Sequence, residues 1–259
     1  MTKTILVTGS TDGIGLLTAK KLVAAGHTVL LHGRSTEKLA RAASEIGGNT
    51  ETYTADLSDL EQTAALADAI MAKHDRLDGL INNAGVLRLP NPATPSGVDA
   101  RFVVNTLAPY LLAQRLLQII PKTGRIVNLS SAAQAPVDVD AMMCGRSLDH
   151  MEAYAQSKLA LTIWTQEMAA NLPTGPVVVA VNPGSLLASK MVKEGFGVAG
   201  NDLSIGADIL IKATLDESFA GKSGAYFDND SGRFAAPHSS AQNADHRHAV
   251  MAAIEKLIS

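Results

Sequence analysis

The chain has 259 residues, 46% hydrophobic and 18% charged, enough apolar material for a sizeable core and too much for a disordered chain. A net charge of -3 with no dense Lys/Arg block gives little attraction to phosphate backbones, so no nucleic-acid partner is expected. A lone cysteine (Cys144), no signal-peptide pattern after Met1 and no apolar run of roughly 18 residues together predict a cytoplasmic protein without a membrane partner.

From the N-terminus, short Val/Ile/Leu runs at Ile5 to Val7, Val29 to Leu31, Leu80 to Ile81, Ile126 to Leu129 and Val177 to Val181 read as strands buried on both faces. Helical patterns alternate with them, as in Leu57, Leu60, Ala64, Ala67 and Met71, whose spacing places them along one helix face. The alternation predicts a doubly wound α/β fold of Rossmann type: a parallel sheet with helices on both faces. The Pro/Gly interruptions are short, so one domain is expected over 1–259, with a cofactor half at about 1–120 and a catalytic and substrate half at about 121–259.

After the first strand comes Thr8-Gly9-Ser10-Thr11-Asp12-Gly13-Ile14-Gly15, opening a helix whose N–H groups and dipole would face a pyrophosphate. Residues Gly9 to Gly15 are therefore candidate cofactor contacts. The second strand ends in His32-Gly33-Arg34-Ser35, where a dinucleotide fold meets the adenosine ribose; a cation there suits a 2′-phosphate, favouring NADP(H) over NAD(H). Arg34 is alternatively a solvated residue opening the next helix. Asp56 and Leu57 are placed for the adenine edge, although Asp56 serves equally well as a helix N-cap. In Asn82-Asn83-Ala84-Gly85, Asn83, Ala84 and Gly85 are small enough to admit the cofactor close to the backbone.

Tyr154-Ala155-Gln156-Ser157-Lys158 lies in a helical stretch, where residues four apart share a face. It follows the strand Gly124 to Ser131 and precedes Val181-Asn182-Pro183-Gly184. With the glycine loop, Asn82 to Gly85 and Asn105, these ordered motifs resemble the short-chain dehydrogenase/reductase family over nearly the whole chain.

That resemblance implies hydride transfer between nicotinamide and a small-molecule carbonyl or alcohol. Tyr154 would exchange the proton. Because a free tyrosine titrates near pH 10, a cation is needed to make its phenolate useful, and Lys158 is expected to lower its pKa while holding the nicotinamide ribose. Ser131 would steady the substrate oxygen, with Ser130 turned to the other strand face. Asn105 would support a relay water through its backbone carbonyl, left free because Pro109 has no N–H to bond it. Pro183 and Gly184 complete the cofactor contacts.

The Ala132 to Met151 insertion resembles the retinol dehydrogenase-like branch. Leu186, Leu187, Met191, Val192, Phe196 and Val198, within Ser185 to Asn201, predict a lid over an apolar pocket. His238, His246 and His248 lack metal-ligand support, so no metal is expected. Leu111, Leu112, Leu116, Ala160, Leu161 and Trp164 give two helices apolar faces; by resemblance these predict a homodimer or homotetramer. The alternative function is a non-enzymatic NADP(H)-sensing regulator on the same fold.

Overall fold

The computed structural model describes residues 1–144, 146–188 and 200–259, apart from the side chain of Cys144. Met191, Val192, Phe196 and Val198 of the expected lid, and any reading of Cys144 chemistry, lie outside the described residues.

Strands β1 (Thr4–Val7), β2 (Thr28–Gly33), β3 (Thr50–Thr54), β4 (Gly79–Asn82), β5 (Arg125–Leu129), β6 (Val177–Asn182), β7 (Tyr226–Asp228) and β8 (Arg233–Ala235) form one sheet. Their order is β3-β2-β1-β4-β5-β6-β7-β8, parallel throughout except for the final β7–β8 pair. The helices are α1 (Gly13–Ala24), α2 (Thr36–Ile46), α3 (Leu60–Met71), α4 (Ala100–Phe102), α5 (Ala108–Leu116), α6 (Val139–Cys144), α7 (His150–Asn171), α8 (Leu203–Leu215) and α9 (Ala244–Ile258).

The continuous apolar strands are explained by helices on both sides, since successive strand side chains point to opposite faces. Leu6, Leu30, Leu80, Ile126 and Val178 pack with α3, α5, α7 and α9, whereas Ile5, Val29, Leu31, Ile81 and Val179 pack with α1, α2 and α8. Chain progression reverses about β1, which has β2 on one side and β4 on the other. The carboxyl ends of these strands therefore open a crevice at the switch point, where doubly wound sheets bind ligands.

Two expectations require correction. The helix pattern drawn from Leu57 begins only at Leu60, because Asp59 caps it, accepting from the N–H groups of Glu61 (2.9 Å) and Gln62 (3.2 Å). Asp56 is a turn residue instead, accepting from Ser58 N–H at 3.0 Å and Ser58 Oγ at 2.8 Å. Second, Leu111, Leu112, Leu116, Ala160, Leu161 and Trp164 are each at most 8% exposed within the single chain. Helix α9 joins this core through Val250, Ala253 and Ile254, and Tyr110 on α5 donates a hydrogen bond to Glu255 on α9. The Tyr110 ring also packs 5.4 Å from Trp164. The apolar faces expected to meet another subunit are thus already covered within the chain. Among the described residues, no helix is long and apolar enough to cross a membrane.

Candidate active site

A cavity of about 740 Å³ occupies the crevice and runs from Arg34, just past β2, and Lys38, in the first turn of α2, to Ser131, Tyr154 and Lys158. Its floor is the glycine loop. Gly9 has φ +65°, and a Cβ there would lie 2.9 Å from the Ala84 Cα; one on Gly15 would lie 2.4 Å from the Gly9 carbonyl oxygen. Both glycines are needed so that the loop can pack against its own helix and the β4 turn. Thr8 Oγ1 accepts from Asn83 N–H and Ala84 N–H, both at 3.0 Å, while Asn83 Nδ2 donates to Thr8 O at 2.8 Å. These bonds weld the first and fourth strand ends into one wall.

The end of the loop and the start of α1, Thr11 to Ile14, line the cavity, with Asp12 capping α1 by accepting from Gly13 N–H at 2.7 Å. Gly33, Arg34, Asp56, Leu57, Asn83, Ala84, Gly85, Pro183 and Gly184 line it too. Ser10 does not. It is fully buried, and its Oγ accepts from His32 N–H at 2.9 Å, so its place in the motif directs it to β2 rather than to a ligand.

His32 is a feature that sequence reasoning passed over. Its Nδ1 accepts from Gly9 N–H at 3.1 Å and its Nε2 donates to Ala55 O at 3.1 Å, bridging the glycine loop to the end of β3. Burial drives its pKa down to about 4, so the ring is the neutral Nε2–H tautomer. Lys38 was missed as well; the available signal was a second cation four positions after Arg34, one turn into a helix capped by Ser35.

At the other end, Tyr154 and Lys158 sit on α7, held by its N-cap Asp149. Burial raises the pKa of the Tyr154 hydroxyl, and a hydrogen bond with the Ser131 side chain opposes that rise. Lys158, expected to lower this pKa, lies one helical turn further along α7. Lys158 Nζ donates to the Leu129 carbonyl at 2.6 Å and lies 5.7 Å from the Tyr154 ring centre. Burial pulls the lysine down to about 8. That bond uses one of the ammonium's three N–H donors, which leaves capacity for a polar ligand.

Ser130 is occupied elsewhere, its Oγ 2.7 Å from Thr162 Oγ1. Asn105 is fully buried and lies outside the cavity lining. It sits in a π-helical turn, Val103–Leu107, in which Ala108 N–H reaches Val103 O. Its side chain accepts from Val86 N–H (2.8 Å) and donates to Val86 O (2.9 Å) and Ser157 Oγ (3.0 Å). Among the described residues, no group of three or more His, Cys, Asp or Glu is placed to hold a metal ion.

The short chain dehydrogenase family model matches residues 3–196, three quarters of the chain, including the glycine loop, Ser131, Tyr154 and Lys158. This chain belongs to the short chain dehydrogenase family. It falls in the retinol dehydrogenase-like branch: it is 37% identical over 193 residues to Retinol dehydrogenase 13 of Homo sapiens, covering 70% of this chain and 58% of that protein. The chain thus spans less than two thirds of the length of that relative. Its fold matches an uncharacterized protein from Mycobacterium Paratuberculosis with TM-score 0.82 and 29% identity, covering 99% of this chain and 93% of that one. A metagenomic short-chain oxidoreductase solved in complex with NADP gives TM-score 0.61 at 31% identity, covering 81% of this chain and 89% of that one. Short chain dehydrogenases are oxidoreductases that take a nicotinamide cofactor.

Proposed function

We propose that this chain is an NADP(H)-dependent reductase of apolar carbonyl compounds, reversible to alcohol oxidation, with residues 1–259 acting as one catalytic unit. The observation that carries this reading is the one cavity that Arg34 and Lys38 share with Ser131, Tyr154 and Lys158.

The residues fit a dinucleotide. Thr11 to Ile14 present a helix N-terminus to a pyrophosphate, Arg34 and Lys38 supply two cations for a 2′-phosphate, and Lys158 has hydrogen-bond donors to spare for ribose hydroxyls. Asp56 and Leu57 would border the adenine, and Asn83 to Gly85, Pro183 and Gly184 the remainder. When bound, the nicotinamide supplies or accepts the hydride. Support for NADP also comes from the related metagenomic oxidoreductase that binds it.

Tyr154 donates its proton to the substrate oxygen as the carbonyl is reduced, and its raised pKa keeps it in the protonated form that this step needs. Ser131 hydrogen-bonds the same oxygen while charge develops there. Lys158 orients the cofactor and brings positive charge towards the phenol once its amine turns from Leu129. Asn105 supports a relay water from its backbone, next to Pro109, which has no N–H for the Asn105 carbonyl. Val86, Leu87, Leu89, Leu186 and Leu187 give the substrate end an apolar lining, in keeping with a relative named for retinol.

The deciding experiment is NADPH oxidation by the purified protein with aldehydes, ketones, quinones and retinoids. Turnover that Tyr154→Phe abolishes supports the enzyme. Tight NADPH binding with no turnover of any carbonyl supports the cofactor-sensing alternative.

A further inference from the structure

Leu186 is the sole non-glycine residue with positive φ among the described residues, at +52°. For a branched side chain that backbone region is a genuine outlier, and such strain persists only where neighbouring structure enforces it. Leu186 is also a large hydrophobic left 44% exposed, and it lines the cavity beyond the Pro183-Gly184 turn.

What enforces the conformation comes from β7–β8, beyond the residues matched by the family model. Asp230, in the turn of that hairpin, accepts from Ser185 N–H at 2.8 Å, Ser185 Oγ at 2.5 Å and Asn182 Nδ2 at 2.9 Å. Its neighbour Asn229 donates to Pro183 O at 2.9 Å. On the far side of Leu186, Asn201 N–H donates to Leu186 O and Ala188 N–H to Asn201 O, both at 2.7 Å. Leucine 186 is therefore gripped from both directions, with the Asp230 carboxylate holding the residue immediately before it.

We propose that Asp230 is a positioning residue for substrate: by clamping Ser185 it holds Leu186 in the left-handed conformation and presses that side chain into the cavity, selecting carbonyl compounds with an extended apolar body. The inference rests on the oxidoreductase reading above for its substrate and on the strained geometry for its mechanism. Surface decoration alone does not account for one carboxylate accepting three hydrogen bonds from the cavity-lining Asn182 and Ser185.

The test compares Asp230→Ala, Asp230→Asn, Leu186→Gly and the Asp230→Ala/Leu186→Gly double variant. Readouts are NADPH affinity, thermal midpoint, and KM and kcat for straight-chain aldehydes of increasing length. Leu186→Gly should raise KM for long aldehydes about tenfold, the scale of a few lost methylene contacts. The rise should shrink as the aldehyde shortens, so that the ratio of long- to short-chain KM is the readout. Asp230→Ala should reproduce that length-selective rise, Asp230→Asn should recover part of it, and the double variant should go no further than either single change. The thermal midpoint gives a reading independent of turnover: Leu186→Gly should stabilise the protein when Asp230 is present and lose that gain when it is absent. Uniform KM changes at every chain length, or a glycine gain that ignores Asp230, would overturn the proposal. A parent protein that turns over no carbonyl would instead refute the oxidoreductase reading, while the stability comparison still decides the clamp.

Discussion

Asn105 and Val86 are joined through both backbone groups of the valine: Val86 N–H donates to Asn105 Oδ1 at 2.8 Å and Val86 O accepts from Asn105 Nδ2 at 2.9 Å. A side-chain amide thus stands in for a neighbouring strand, and the same Nδ2 reaches Ser157, beside Lys158 on α7. Asn105→Ala should leave these groups without partners and cost about 3 kcal/mol, read by urea unfolding. A loss below about 0.5 kcal/mol would show that the pairing is replaceable by water. Pro109→Ala is a separate test: restoring an N–H near the Asn105 carbonyl should slow proton transfer, seen as a larger solvent isotope effect on kcat, with little change in stability.

His32 predicts a pH dependence of folding. Its pKa is about 4 in the folded chain against 6.5 unfolded, so the fold favours the neutral ring. The associated stability is fully present above pH 6.5 and is lost as pH falls through about 4, a total of about 3 kcal/mol at 1.4 per unit. Asp56 opposes this shift and Arg34 adds to it, but burial dominates. Urea midpoints measured between these pH values should fall on acidification, and His32→Phe should flatten that slope while lowering stability at neutral pH.

Arg34→Asp should weaken NADPH binding by about a hundredfold and NADH binding by little, because only NADPH carries the 2′-phosphate. Lys38→Ala should cost about tenfold for NADPH, being a point charge rather than a planar fork. Fluorescence titration of both cofactors checks this, and equal effects on the two would remove the assignment.

Lys158 titrates near 8 and is charged below that value. NADPH affinity should therefore decline as pH rises through about 8, because the neutral amine offers weaker hydrogen bonds to ribose. Lys158→Met should abolish this limb along with most activity, whereas Lys158→Arg keeps the charge and should move the limb out of range.

The sheet was legible because its central strands are buried on both faces and spell that out as unbroken apolar runs. The glycine loop and the Tyr154–Lys158 pair were legible because fixed spacing on a turn or helix forces the groups together. Ser10 misled for the opposite reason: lying inside a motif does not decide which way a side chain turns. His32 acts through long-range partners, Gly9 and Ala55, that no local pattern announces. The β7–β8 hairpin has three-residue strands flanking a polar turn, too short for any periodicity to register. The buried helix faces near Trp164 were correctly apolar, but sequence alone does not say whether a second subunit or the chain's own α9 covers them.

The π-helical turn at Val103–Leu107 holds one residue more than an α-helical turn would use. Helical positions advance by ~100° each, so deleting a single residue there would let the turn relax to α-helix and rotate everything before it relative to α5. Asn105 would swing away from Val86 and Ser157 even with its own identity intact. In this stretch the number of residues shapes the structure as much as their kind, and a one-residue deletion should be more damaging than most substitutions.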